Sequence, residues 1–449
     1  MKRQRKKGRV TLAAAAAMCA VAALPGQAHA AGTPSYTFDP RARTIPGAAA
    51  NAEASVLDAG SVYRSAIKPG EKLYYRVKLD AKSNAYVSAV VVPKLGGAVA
   101  YGDGITVSIR DLNDSRCGSE DARFGSTEFP RPIAAYAHRT IDKESSTCQE
   151  AGTYDVLIER ESKSTSNQGS WDLELRFALE PKLKKGSAMP TEAPETWPST
   201  SPAPPAGDDR KRAGGAGFYD ATGLETGTWV DSVAPGQTRF YQVPVDWGQQ
   251  LFVSTALSNS TSGKDEFMGN ALSLSLENPA QGHVADAYLS YAGKSATVAL
   301  DPVPPVAYNN RFDYGSEVSG MRFAGWYYLS VTLSPKVAEV YGDKPIPLTT
   351  TVQVKNEAKE SPYDGDAGIF EVTKKDKEMA KSGDSAPQAA RSDKMRLVAA
   401  GGIGAGTVLV LGLGVWTLLA RRRPQPAGGT PPGGSGQQPP FGGPPPQAW

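Results

Sequence analysis

Histidine and cysteine are scarce in this chain, three of each in 449 residues. His29 and Cys19 fall within the first thirty residues, so beyond them only His138, His283, Cys117 and Cys148 remain. A Ser-His-Asp arrangement would have to recruit one of those two histidines, and neither stands in a nucleophile or base motif. GxSxG, HExxH, a Walker loop and a GxGxxG after a strand are all missing. Serine hydrolysis on an α/β fold, zinc proteolysis, nucleotide hydrolysis and dinucleotide binding therefore have no motif behind them.

The two cysteines, with His138 as the only histidine between them, fit no zinc spacing. Export would place them in an oxidising compartment, and they are expected to form a disulfide. Closing a loop of about 30 residues, it would add roughly 3 to 4 kcal/mol on the chain-entropy model. Acidic residues cluster at Asp111-Leu112-Asn113-Asp114 and Asp364-Gly365-Asp366, but without the glycine and terminal glutamate of an EF-hand loop. Asp, Asn and Gly in such places are expected as turn residues. The chain reads as a non-enzyme with no cofactor and no metal. A glycosidase-type carboxylate pair meets only in a fold and leaves no sequence signature, so a hydrolase using one is the third functional reading.

Excess basic charge is missing once the ends are set aside. Six of the 49 Lys and Arg lie in the first thirty residues and three are Arg421, Arg422 and Arg423, leaving 40 against 46 acidic residues. A mildly acidic remainder gives no reason to expect nucleic acid as a partner.

What the chain does have is a repeat. Lys68-Pro69-Gly70 through Leu79-Asp80 reads like Ala234-Pro235-Gly236 through Val245-Asp246, and the likeness continues without a gap to Tyr86-Val87-Ser88 and Phe252-Val253-Ser254. Each copy is a Pro-Gly turn, an alternating strand, a short polar turn and a second alternating strand, the signature of a β-hairpin. Tyr63 matches Trp229; Ile105, Val107 and Ile109 match Leu272, Leu274 and Leu276 after a one-residue slip. Ala151-Gly152-Thr153-Tyr154 matches Ala324-Gly325-Trp326-Tyr327. Trp171, Leu173, Leu175 and Phe177 are aligned with Leu348, Thr350, Val352 and Val354. The order of matches implies a duplicated all-β domain.

In chain order, residues 1–30 read as a signal peptide: a basic n-region, an apolar run from Val10 to Leu24, and cleavage between Ala30 and Ala31. Residues 31–181 form the first β-domain. Residues 182–215, rich in Pro, Ser and Gly, read as a linker with a solvated basic triplet at Arg210-Lys211-Arg212. Residues 216–355 form the second β-domain, 356–396 a charged stalk. Residues 397–420 lack charge and are long enough to cross a bilayer as one helix; Arg421, Arg422 and Arg423 then put the C-terminus in the cytoplasm. Gly402 and Gly406 stand in GxxxG spacing, and 421–449 is expected to be a disordered Pro/Gly-rich tail.

The turn Val233-Ala234-Pro235-Gly236, the strands Phe240 to Val245 and Leu251 to Ser254, alternating Leu272, Leu274 and Leu276, and Ala324-Gly325-Trp326-Tyr327 together resemble the bacterial pre-peptidase C-terminal domain. Tyr75, Val77, Leu79 and Ala151 to Tyr154 extend the resemblance to the first copy. It implies two tandem jelly-roll-like β-sandwiches and a non-catalytic role, although no peptidase precedes either copy. The layout also resembles actinobacterial single-pass surface proteins.

The reading is a non-catalytic cell-surface binding or scaffold protein, with its ectodomain outside and another envelope or secreted protein as partner. The candidate binding loop spans residues 300–311, with Pro302, Pro304, Pro305, Tyr308 and Arg311, because loops on rigid scaffolds carry function. The alternative is a carbohydrate or cell-wall polymer binder using Trp229, Trp247, Trp326 and Tyr327, although aromatics at alternating strand positions are more often core.

Overall fold

The computed structural model describes residues 36–142, 145–186, 190–260, 262 and 266–421, with side chains throughout except at 393–394, 396–407, 420 and 421. The expected signal peptide with Ala30 and Ala31, together with Arg422, Arg423 and the tail after them, lies outside these residues.

The chain is mostly β, arranged as two sandwich-like halves of two five-stranded sheets each. The first half contains β1 (Arg43–Thr44), β2 (Ser55–Val56), β3 (Val62–Ile67), β4 (Lys72–Leu79), β5 (Ala85–Val92), β6 (Gly104–Arg110), β7 (Arg116–Arg123), β8 (Ile133–Arg139), β9 (Gly152–Glu161) and β10 (Trp171–Leu179). The second contains β11 (Arg210–Lys211), β12 (Thr222–Gly223), β13 (Gly227–Val233), β14 (Thr238–Val245), β15 (Gln250–Leu257), β16 (Met268–Glu277), β17 (His283–Tyr291), β18 (Ala296–Ala299), β19 (Gly325–Leu333) and β20 (Ile346–Lys355). The sheets run β1-β3-β10-β5-β8 and β2-β4-β9-β6-β7 in the first half, β11-β13-β20-β15-β18 and β12-β14-β19-β16-β17 in the second. Adding ten to every label converts one half into the other.

Pairing registers test the repeat residue by residue. Leu79 pairs with Gly152 and Val245 with Gly325, so the Ala-Gly-aromatic match holds at its place in the sheet. Val107 pairs with Ile158 and Leu274 with Val331, which upholds the one-residue slip. The last strand differs: Phe177 pairs with Val87, but the equivalent Val253 pairs with Val352 and not with Val354. The alignment of β10 with β20 is therefore two residues out. With period-2 side chains a two-residue slip keeps every residue on its face, so hydrophobic pattern alone does not detect it.

Alternation explains the cores. In β4, Leu73, Tyr75, Val77 and Leu79 are buried while Lys72, Tyr74, Arg76 and Lys78 are not. β5 departs from this and is buried along almost its whole length. Ala85, Val87, Ala89 and Val91 join the core of the first half; Tyr86 and Val90 join clusters shared with the second. β8 divides likewise, with Ala134 and Tyr136 turned to the second half. Phe240 and Tyr328, on β14 and β19, come to meet them. The two halves thus bury one face of a sheet each against the other, and both belong to one compact unit extending to Pro387.

Two segments differ from expectation. Residues 182–215 do not act as a free spacer. Trp197 donates to Pro302 O at 2.7 Å, Gln250 to Pro198 O at 2.8 Å and Asn309 to Glu192 O at 2.7 Å. The segment ends as β11, parallel to β13. Two members of the basic triplet are engaged: the Arg210 and Arg212 guanidinium carbons lie 3.9 and 4.9 Å from the Trp229 ring, a cation–π arrangement. Residues 356–396 are not simply a stalk. Tyr363 and Phe370 are buried in the core of the second half. The helix Lys374–Ser382 is fixed at its start by a capping box between Thr373 and Asp376, and Trp326 donates to Asp376 at 2.8 Å.

From Gln388 the chain forms a second unit. A helix, Ala386–Arg421, runs through the expected span. Among the described residues no helix is long and apolar enough to cross a membrane.

Candidate functional site: the seam between the halves

A turn at the end of β16 begins the seam. Asn278 Oδ1 accepts from the N–H groups of Ala280 and Gly282, both at 3.0 Å, folding 278–282 into a tight knuckle. Ser88 of β5 donates to Gln281 Oε1 at 3.0 Å across the seam. Gly282 lies against the Tyr136 ring so closely that a Cβ there would stand 2.1 Å from a ring carbon. Only a residue without a side chain lets the backbone approach this far.

Behind the knuckle, one carboxylate gathers five donors. Glu180, just past β10, accepts Arg311 at 2.7 and 3.0 Å, Asn84 at 2.7 Å, Tyr86 at 2.8 Å and Tyr363 at 2.5 Å. The Arg311 and Glu180 side chains are only 5% and 1% exposed. Burial alone would raise the Glu180 pKa, but the bidentate Arg311, with the Tyr363 hydroxyl and the Asn84 amide, outweighs it and holds the carboxyl down at about 2. Tyr86, Phe323 and Phe370 stack edge-on beside it, with ring centroids 4.9 and 5.7 Å from Tyr86. Buried charges of this sort are tolerated only when every lone pair is engaged.

At the other side of the seam, Asp121, Arg131, Glu277, His283, Asp286 and Tyr288 line a polar cavity of about 220 Å³. Glu277 is buried; Ser275 donates to its Oε1 at 2.6 Å, while Oε2 has no hydrogen-bond partner of ordinary geometry. Burial pushes its pKa up to about 7, and burial does the same for neighbouring Glu120. His283 lies 3.2 Å from Asp286 with about a third of its side chain exposed (35%). Burial would lower its pKa, but the Asp286 hydrogen bond and the surrounding carboxylates raise it instead. His138, on β8, goes the opposite way, to about 3, driven by burial and then by Arg322 and Arg311. The cavity is smaller than the roughly 300 to 1,000 Å³ usual for ligand sites.

A larger cavity of about 720 Å³ opens farther along the seam, lined by Tyr36, Phe38, Arg64, Leu95, Arg131 and Thr238 among others.

Of the expected candidates, Cys117 and Cys148 are disulfide-bonded across a separation of 31 residues. The loop at 300–311 is not a free surface. Pro304 is buried, Pro302 and Pro305 are half-buried, and Pro302 and Pro305 offer their carbonyls to Trp197 and Asn310. Tyr308 lies under the Arg311 guanidinium at 3.5 Å, and Arg311 is committed to Glu180. The loop carries an internal clasp because its one arginine faces a carboxylate buried in the other half. Trp229, Trp247 and Tyr327 are all buried, and Trp326 is half-buried with its indole N–H bonded. Asp111 accepts from the backbone of Asn113 and Ser115, and Asp366 from that of Gly368, as turn residues do.

Sequence reasoning missed Glu180, Glu277, Gln281 and Gly282. The available signal was Tyr363 and Phe370 standing in an otherwise polar segment, and a β5 apolar on both faces.

No family model and no curated protein matches the chain. Among solved structures, the N-terminal CBM22-1-CBM22-2 tandem domain from Paenibacillus barcinonensis Xyn10C aligns at 12% identity over 67% of this chain and 92% of that one, with a TM-score of 0.18. The CUB1-EGF-CUB2 domain of human MASP-1/3 aligns at 6% identity over 65% and 99%, with a TM-score of 0.15. The ANX1 ectodomain from Arabidopsis thaliana aligns at 10% identity over 65% and 83%, with a TM-score of 0.17. Superpositions this loose carry no argument about this chain.

Proposed function

We propose that the protein is a non-catalytic binding or scaffold component of a cell envelope, exported by residues 1–30 and anchored by 397–420, with the C-terminus cytoplasmic. Its two halves are jelly rolls of the pre-peptidase C-terminal type, welded into one display body. The nested pairing supports the jelly roll: β3 with β10, β4 with β9, β5 with β8 and β6 with β7, the order of a long hairpin wrapped on itself. The anchor is supported by described apolar side chains from Val408 to Leu419 that are 57 to 70% exposed on their helix, an arrangement suited to lipid rather than water.

The observation that carries the reading is the seam. A buried face of each sandwich, a knuckle against Tyr136 and a five-donor clasp fix the halves in one relative position, which is what a rigid binding platform needs and what independent beads on a string lack. The polymer-binding alternative loses support because the aromatics named for it are buried or bonded. The hydrolase reading gains a carboxylate cluster at Asp121, Glu277 and Asp286, but in a cavity too small for a sugar chain.

A crosslinking pull-down from intact cells, run beside sedimentation with purified wall, tests this. One dominant protein partner, lost on Gly282→Trp and without wall retention, is the expected result. Saturable wall retention with no partner would overturn it.

A further inference from the structure

The larger seam cavity has features of a site rather than of a packing gap. Its volume of about 720 Å³ falls in the range of ordinary small-ligand pockets. Both halves contribute: Phe38, Arg64, Lys94 and Leu95 from the first, Gly236 and Thr238 from the second. Tyr36 lines it with a buried hydroxyl whose oxygen faces the Phe218 backbone and whose O–H finds no acceptor of ordinary geometry. Burial raises the Tyr36 pKa well above its usual value, so the phenol stays a neutral donor. A buried O–H without an acceptor destabilises the folded state, and an acceptor entering the cavity would relieve it.

The charges indicate what that group is. Arg64 lies over the Phe38 ring at 4.0 Å, and neither Arg64 nor Lys94 makes an ion pair among the described residues. Of the two carboxylates in the lining, Asp39 is held by Arg41 at 2.8 and 3.0 Å, leaving exposed Asp172 against two free cations. Arg131, also in the lining, is engaged by Thr127 and the Phe124 carbonyl, and beside Thr238 much of the remaining wall is apolar: Val92, Pro93, Leu95 and Pro132. An apolar wall, a neutral buried donor and two unpaired cations suit an anion with an apolar body.

We propose that this cavity binds a carboxylate carried beside one aromatic or branched apolar group, the chemistry of an N-acylated amino acid or of a peptide's C-terminal residue. The aromatic body lies against Leu95, Pro93 and Pro132, and the carboxylate meets Arg64 and Lys94 and accepts from Tyr36. The proposal deepens the binding reading and rests on it, giving the display body a ligand that needs both halves to be recognised.

Equilibrium dialysis of the full chain in a non-ionic detergent, against radiolabelled N-acetylphenylalanine, tests it. Saturable binding at one site, about tenfold weaker for N-acetylphenylalanine amide and weakened by salt, is expected. Arg64→Ala with Lys94→Ala should remove the preference for acid over amide, and Ala42→Trp, which fills the cavity from a half-exposed position, should abolish both. A tetrapeptide ending in free Phe, compared with its amide, separates the sources: tighter binding than the acyl amino acid assigns the site to protein C-termini. Equal binding of acid and amide, or binding that survives Ala42→Trp in a variant that unfolds as wild type does, would overturn the proposal. Dialysis and the cell pull-down fail independently, so losing this ligand leaves the scaffold reading standing.

Discussion

Five donor groups on four residues, from three segments of chain, converge on the Glu180 carboxylate, and removing its charge acts on all of them. Glu180→Gln loses the bidentate pair with Arg311 and is expected to destabilise the protein by about 3 kcal/mol, read from the urea midpoint at constant slope. Arg311→Met is expected to cost at least as much, because it leaves the carboxylate buried without its cation. The double variant should cost clearly less than the two singles added, since each removes the other's reason to be charged. Additive losses would show that the pair is not coupled. The same residue shows why the site was hidden in the sequence: Arg311 and Tyr363 stand 131 and 183 positions from Glu180, and no local pattern links partners that far apart. Arg311 stands out in the sequence only through the proline-rich loop around it, and its guanidinium faces inward to Glu180.

At the scale of strands, alternation made the sandwich cores legible and the seam only half so. Leu73, Tyr75, Val77 and Leu79 announce one buried face. The second buried face of β5 is written in Ala85 to Val92, where seven of eight residues are buried, but that run reads equally as a central strand between two layers. The polar faces of β16 and β17 give still less warning, because Ser273, Ser275, Glu277 and His283 look solvated until the other half covers them. That covering has a consequence in pH. Glu277 has a folded pKa near 7, above its unfolded value of about 4.5. It therefore contributes stability in full below pH 4.5, and the contribution is lost as pH rises through 7. His283, also raised, weakens the seam in the same direction, and Glu120 follows. Glu180, held at about 2, acts oppositely: its contribution is present above 4.5 and lost as pH falls toward 2. His138, held neutral down to about 3, opposes Glu277 between pH 6.5 and 3. Comparing wild type with Glu277→Gln cancels Glu180 and His138 and leaves Glu277 together with the part of the His283 shift that Glu277 causes. The variant should gain on wild type by about 2 to 3 kcal/mol between pH 5 and pH 8. A difference that stays flat over that range would mean that Glu277 is not the buried acid its position implies.

For the whole molecule, the seam decides whether two sandwiches behave as two domains or one. Each half has its own core of buried strands, so each has the makings of an independent unit, and the repeat implies that they once were alike. Against that stands the shared interface, where Tyr86 and Tyr136 of the first half sit within the second half's core cluster. When an interface of buried apolar faces and a charged clasp stabilises both partners, losing one half removes that support from the other, and the transitions merge. Calorimetry of the full chain should therefore show one unfolding transition for the ectodomain, coincident with the change in tryptophan fluorescence. Gly282→Trp drives a bulky ring into the position now filled by Tyr136 and should split it, the half without a disulfide melting first. Reduction of Cys117–Cys148 in that variant should then lower only the later transition, since the bond lies wholly within the first half and a loop of this length stabilises by about 3 to 4 kcal/mol. Two separate transitions in the unaltered protein would mean that the halves are neighbours and not one body, and the binding platform would lose its physical basis.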